Sequence, residues 1–335
     1  MSDSYRMTFG VQSVLGPIDL ADLGRTLMHE HLLIGYPGWE ADTVRPGLSR
    51  SEMIKVCVDR VDELKAGGID SMLDPCPSDL GRDVELIAEV AARTGFQIIC
   101  ATGLYKEEEG GTAYWKFRSN FGPQVDAMAE VFIRELTEGI GATRIRAGII
   151  KVGTGHGAIT DYERVVLAAA AKAAVATGAP ITTHTDQGRL GDEQQEILTA
   201  AGVPAHRIII GHSCGTDDHG YHMKIAGRGS YLGFDRFGLD LIQPDDLRVA
   251  ALAKVVEAGA AAQVVVSHDT VWCWRGQPLP DPSAIAAVAP NWHPLHFVRN
   301  IAPRLRAAGV GQEQIDMMMV DNPRRFFAGQ VPPAR

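Results

Sequence analysis

The sequence predicts an α/β fold, a (β/α)8 barrel of the TIM type. Three observations carry that expectation: eight short apolar runs, amphipathic stretches between them, and glycines that close those stretches ahead of the next run. The runs are 26–34, 69–73, 97–102, 147–152, 180–184, 207–212, 231–234 and 264–268. They are apolar almost throughout, as strands covered on both faces must be. Between them, 51–65 begins on a serine cap and repeats Met53, Val56, Cys57 and Val61 along one helical face before Gly67 and Gly68. The stretch 161–177 is alanine-rich and stops at Gly178, and 245–257 stops just before Gly259. Eight such units close naturally into a barrel. The alternative, an open doubly wound sheet, loses its dinucleotide-binding role because no Gly-x-Gly-x-x-Gly follows the first run. After the eighth run, Trp272, Trp274, Pro278, Pro280 and Pro282 mark a connection long enough to be an active-site loop. Two further helices are expected near 296–308 and 312–319. No linker or change of composition divides the chain, so one domain is expected over 1–335.

Composition narrows the function classes. Of 335 residues, 45% are hydrophobic and 22% charged, enough for a large core and too little charge for disorder. The net charge of −9, with no basic block to offset it, disfavours a nucleic-acid partner. No run of about 18 apolar residues occurs, so no membrane span is expected. The first ten residues lack the apolar core of a signal peptide. The five cysteines are odd in number and form no metal-type pair, which reads as reduced thiols in a cytoplasmic protein.

Several strand ends carry metal-ligand types. In His29-Glu30-His31 the two imidazoles share a strand face, while Glu30 points outward. Alone, this pair is as compatible with a structural role as with a cation. His184 and His212 close two later strands, however, and Asp269 follows the eighth. In a barrel such C-terminal ends converge on one mouth, where four histidines and a carboxylate suit divalent metal. His268 neighbours Asp269 and therefore faces the other way, toward the helices. Lys151 lies inside an apolar strand, where a free ammonium is costly. Burial lowers its pKa and leaves an amine able to take up carbon dioxide as a carbamate, a two-oxygen anionic ligand. The alternative is a lysine at a strand tip paired with a carboxylate.

These residues, with their surroundings, resemble the phosphotriesterase family of the amidohydrolase superfamily, in its phosphotriesterase-like lactonase branch. The resemblance runs through Val14-Leu15-Gly16-Pro17-Ile18, Leu27-Met28-His29-Glu30-His31, Ala101-Thr102-Gly103-Leu104-Tyr105 and Ala147-Gly148-Ile149-Ile150-Lys151. It continues in Thr183-His184-Thr185, Ile210-Gly211-His212, Ser267-His268-Asp269 and Asp321-Asn322-Pro323. It implies two divalent ions, with His29, His31 and Asp269 on the more buried one, His184 and His212 on the more exposed one, and carboxylated Lys151 between them. It implies a homodimer, and a hydroxide shared by both ions that attacks a carbonyl carbon or phosphorus while Asp269 takes its proton. Zinc suits His and carboxylate ligands, and such sites also take cobalt, manganese or iron.

The same resemblance suggests substrate contacts at Tyr105, Arg236, Trp272 and Trp274. Only 33 residues separate Arg236 from Asp269, too few for the long seventh loop of specialised phosphotriesterases. A lactone is therefore the expected main substrate, with organophosphate esters secondary. The sequence departs from the lactonases in Lys106-Glu107-Glu108-Glu109, where they tend to be apolar, and in Phe237 where tyrosine is frequent. Carboxylates at the mouth would repel anions and long acyl chains.

Overall fold

The computed structural model describes residues 10–279 and 282–333. Residues 1–9 and Pro280, on which two of the readings above fall, lie outside them.

The main sheet runs β3 (Thr26–Leu27), β5 (Ser71–Asp74), β6 (Gln97–Leu104), β7 (Ile149–Thr154), β8 (Ile181–Thr185), β9 (Ile208–Ile210), β10 (Tyr231–Phe234) and β11 (Val264–Val266), with every pairing parallel. Helices wrap its outer face, as predicted. Before it, β1 (Gly10–Ser13) and β2 (Gly16–Asp19) form an antiparallel hairpin.

The run 26–34 is not one strand. It breaks after Leu27 and resumes as β4 (His31–Ile34). The stretch expected to be a loop instead supplies β12 (Val271–Trp274), which pairs in parallel with β4. The barrel closes along this seam. Met28 N donates to Val266 O at 3.3 Å, Asp269 N to His29 O at 3.0 Å and His31 N to Thr270 O at 2.8 Å.

Strand alternation sorts the side chains. Met28, Leu73, Ile99, Ile149, Ile209, Tyr231 and Val265 point inward and fill the barrel floor, with Val11 of the hairpin and Phe326 beneath them. Their strand neighbours, such as Ile98, Ile150, Leu232 and Val264, point outward into the helix-facing core. Each fully buried aliphatic contributes about 1.5–3 kcal/mol. The floor is therefore closed, and the next inward position on each strand meets the mouth.

Helix boundaries differ in detail. The first helix covers Arg50–Ala66, and its cap is Ser49, which with Glu52 forms a capping box. Asp161–Thr177 and Asp245–Glu257 are helices as read. After the helical segments Phe297–Ala307 and Gln312–Asp321 comes a third, Asn322–Ala328. Its Pro323 stands in the first turn, where a missing N–H costs nothing. No helix among the described residues is long and apolar enough to cross a membrane.

Candidate metal centre

The six residues read as ligands all line one cavity of about 230 Å³ at the C-terminal strand ends. Larger hollows of about 570 and 500 Å³ lie at the opposite end, among residues such as Gly178, Pro204 and Phe327, and hold no comparable cluster. His29, His31 and Asp269 each place a ligand atom within 4.8 Å of the other two. Nε2 of His29 and of His31 stand 3.4 and 3.3 Å from Asp269 Oδ1. Lys151 Nζ lies 3.0 Å from His29 Nε2. The His212 ring centroid is 4.7 Å from those of both His29 and His184.

Local backbone explains how two ligands reach the mouth. His212 and Asp269 both lie just past a strand end with φ of +55°, a left-handed conformation costing a non-glycine residue about 1–3 kcal/mol. That turn swings Asp269 inward while His268 stays outside. Gly103 is required beside Lys151, since a Cβ there would fall 1.8 Å from Lys151 O.

Each histidine is backed by a carboxylate on the nitrogen that faces away from the cluster. Nδ1 of His29 and of His212 both contact Asp235, at 3.1 and 2.8 Å, through different oxygens. His184 Nε2 contacts Asp186 Oδ1 at 2.7 Å. His31 Nδ1 is 3.4 Å from Asp74 Oδ1, near but not aligned for a hydrogen bond. Such partners fix the tautomer and leave the other nitrogen's lone pair free for a cation. The sequence reading assigned none of these four roles to Asp74, Asp186 or Asp235. A signal existed: all three stand at or just past a strand's C-terminal end, and Asp235 shares the inward face of Tyr231 and Gly233. Gly233 makes room for it, as a Cβ there would meet Asp235 Oδ2 at 2.5 Å.

The electrostatics fit metal ions. Burial lowers the pKa of His29 and His212 and brings His184 down to about 3, so all three present neutral imidazoles. His31 goes the other way. Burial opposes its protonation, but Asp269 and Asp74 hold its pKa well above the usual value. Burial brings Lys151 down to about 8, with Asp269 and Asp235 pulling in the opposite direction. Asp269 ionises readily: burial disfavours this, yet the surrounding site histidines and the Arg236 guanidinium keep its pKa well below the usual range. Four carboxylates around a cluster with three neutral imidazoles make a space that favours cations, and these donor types suit zinc-like ions.

Glu30 does point away from the cluster, but not into solvent. It is fully buried and accepts from Ser267 Oγ, His268 N, His268 Nδ1 and both N and Oγ1 of Thr270. His268 Nε2 accepts from Phe297 N at 2.8 Å, which locks the imidazole against the C-terminal helices. Glu30 thus ties down the 267–270 segment that carries Asp269. Replacing Glu30 with alanine strips a buried carboxylate from five donors. A loss of about 3–5 kcal/mol in unfolding free energy is expected. A denaturant midpoint shifted by less than the equivalent of about 1 kcal/mol contradicts that role.

Among the expected substrate contacts, Tyr105, Arg236 and Trp274 line the cavity and Trp272 does not. Trp272 lies against the hydrophobic core and its Nε1 donates to Thr270 Oγ1 at 2.9 Å. The wall is completed by Tyr36, which stacks on Trp274, and by Leu239, Ile242 and Trp292. Tyr105 Oη is 3.2 Å from His184 Nδ1, and burial keeps it a phenol by holding its pKa well above the usual value. Arg236 Nε donates to Asp269 Oδ2 at 2.8 Å. The glutamates after Lys106 are not among the lining residues. Glu107 pairs with Lys116 and Glu109 with Lys106.

Comparison with known proteins gives a consistent set of relatives. A model of the phosphotriesterase family matches residues 9–327. A Mycobacterium tuberculosis protein named phosphotriesterase homology protein is 40% identical over 319 residues, spanning 94% of this chain and 96% of that one. The solved organophosphorus hydrolase from Deinococcus radiodurans superposes with a TM-score of 0.92 at 40% identity, over 95% of this chain and 97% of that one. Another solved structure, 39% identical with a TM-score of 0.91 over 95% and 99% of the two chains, is described as organophosphate hydrolysis engineered from a weak promiscuous lactonase template.

Proposed function

The chain belongs to the phosphotriesterase family and is a metal-dependent hydrolase, and from that premise we propose that it is a two-metal lactonase with secondary phosphotriesterase activity. The observation that carries this reading is the shared orientation of the site. Four histidines, backed by Asp74, Asp186 and Asp235, turn their remaining nitrogens toward one space that also holds Lys151 and Asp269. His29, His31 and Asp269 would hold the inner ion, and His184 and His212 the outer. Lys151 would bridge them as a carbamate. Its depressed pKa supports this, because an amine titrating near 8 is appreciably neutral at physiological pH. Zinc is the proposed metal, a homodimer the proposed assembly and the cytoplasm the proposed compartment.

When bound, a pair of divalent cations lowers the pKa of water and polarises the scissile carbonyl or phosphoryl oxygen. The chain's own groups do the rest. Asp269 starts ionised and accepts a proton at a carboxylate oxygen, then releases it to the departing alkoxide. Arg236, on Oδ2, keeps that carboxylate ionised and fixes its plane. The Tyr105 phenol faces the cavity as a hydrogen-bond donor to the substrate oxygen. Tyr36, Leu239, Ile242, Trp274 and Trp292 form an apolar wall suited to an alkyl substituent. None of the glutamates following Lys106 lines the cavity, and Glu107 and Glu109 are paired with lysines, which weakens the charge objection to an apolar lactone.

A true organophosphate hydrolase is the second reading, favoured by the similarity to the organophosphorus hydrolase from Deinococcus radiodurans. Metal content measured alongside a panel of alkyl, acyl-homoserine and sugar lactones and aryl phosphotriesters separates the two. We expect two equivalents of metal per chain and activity lost on chelation. The best lactone should exceed the best triester in kcat/KM by about 100-fold or more, equivalent to about 2.7 kcal/mol of transition-state binding. Turnover confined to triesters sinks the lactonase assignment, and full activity after chelation sinks the metal mechanism.

A further inference from the structure

Two consecutive residues, Tyr105 and Lys106, grip His184 from opposite sides. Tyr105 Oη touches its Nδ1, while Lys106 reaches its Nε2 through Asp186. Lys106 Nζ lies 3.0 and 3.1 Å from the two Asp186 oxygens and 3.0 Å from Glu109 Oε1. Asp79 pins the loop that carries them, accepting from Tyr105 N at 2.9 Å and Gly111 N at 2.8 Å. The other three site histidines are backed differently. Asp235 and Asp74 are buried, and besides those histidines they accept from backbone amides: His212 N for the former, Leu32 N and Cys76 N for the latter. Only His184 is connected, through an ion-pair chain, to a partly exposed glutamate on the loop after β6.

We propose that Lys106 and Asp186 are positioning residues that set the affinity of the outer metal ion independently of the inner one. The inference rests on the two-metal reading given above. Asp186 fixes the proton on His184 Nε2, which leaves the Nδ1 lone pair aimed into the cavity and raises its basicity. Lys106 holds the Asp186 carboxylate by both oxygens and so prevents it from rotating off the imidazole. None of the inner ligands His29, His31 and Asp269 touches this chain of charges, and a change in it should reach one ion alone.

The test is calorimetric titration of metal-stripped protein with Co²⁺, together with bound metal per chain, for the parent, Asp186→Asn, Lys106→Met, Lys106→Arg and the Asp186→Asn/Lys106→Met double variant. Loss of an outer-shell partner typically costs 10–100-fold in metal affinity. We expect the weaker Co²⁺ site to loosen by about that factor in Asp186→Asn and by about tenfold in Lys106→Met, with the tighter site unchanged. Lys106→Arg should restore the parent's weaker-site affinity. The double variant should be no worse than Asp186→Asn, because one chain of contacts is broken once. A weaker site within about twofold of the parent in Asp186→Asn overturns the proposal, as does equal loosening of both sites or full additivity in the double variant. A parent that binds a single equivalent removes the two-metal reading itself, and this inference with it. Two equivalents with unaltered affinities in the variants remove the relay alone.

Discussion

Lys151→Met should lower kcat/KM by about a thousandfold or more, about 4 kcal/mol of transition-state stabilisation, while making the metal-free chain more stable. The two effects have one origin. Lys151 sits in β7, above Ile149 on the inward face, where its ammonium is desolvated. The folded chain holds its pKa near 8 against an ordinary 10.5, so the unfolded chain binds that proton more tightly. The resulting penalty on folding is complete below pH 8 and fades as pH rises from 8 to 10.5. It amounts to at most about 3 kcal/mol. Methionine has nearly the same length, carries no charge and avoids the penalty. The stabilisation should therefore be largest below pH 8 and shrink toward pH 10.5. Thermal unfolding of the stripped proteins across that range, beside metal content and kcat/KM, provides the check. A variant that keeps both ions and more than about a tenth of the activity would show that Lys151 is no bridge.

Asp235→Asn should weaken both metal sites at once, because one carboxylate serves two histidines assigned to different ions. Asp235 Oδ2 contacts His29 Nδ1, and Oδ1 contacts His212 Nδ1 and the backbone N–H of His212. Asparagine keeps the shape but turns an NH2 donor toward one ring N–H. That ring must then flip or move, and a buried donor is left without an acceptor. A loss of about 100-fold or more in kcat/KM is expected, with weaker binding of both metal ions. Asp186→Asn, by contrast, should touch one ion only. If Asp235→Asn leaves either ion's affinity within about twofold of the parent, the shared-carboxylate argument is wrong.

How much of this was legible in the sequence depends on what kind of signal each residue leaves. The barrel was readable because strand and helix periods alternate eight times and glycines mark the joins. The six candidate ligands were readable because histidines spaced by two, and a lysine inside Ala147-Gly148-Ile149-Ile150, are rare patterns. The break in the run 26–34 was not readable. Met28, His29 and Glu30 continue a plausible strand, and only the seam with Thr270 shows that the chain bends there. Asp74, Asp186 and Asp235 were missed because an aspartate at the start of a loop is ordinary, and their partners are remote in sequence. Asp235 and His29 are 206 positions apart. Trp272 and Trp274 were expected together, as positions two apart on an extended segment share a face, yet Trp272 rests against the hydrophobic core with its Nε1 on Thr270 Oγ1, and Trp274 is the one the cavity receives. Glu30 was placed on the correct face without its partners, which lie 237 to 240 positions further along the chain.

The left-handed backbone at His212 and Asp269 sets evolutionary stability against evolutionary function. At both places glycine would sit more comfortably than the residue present. A mutation to glycine there would relieve the local backbone strain, but it would erase the chemistry and leave Arg236 or Asp235 without that side-chain partner. The strain at these two turns is therefore held in place by the same polar contacts that orient the cluster, so each turn serves the site and not the backbone.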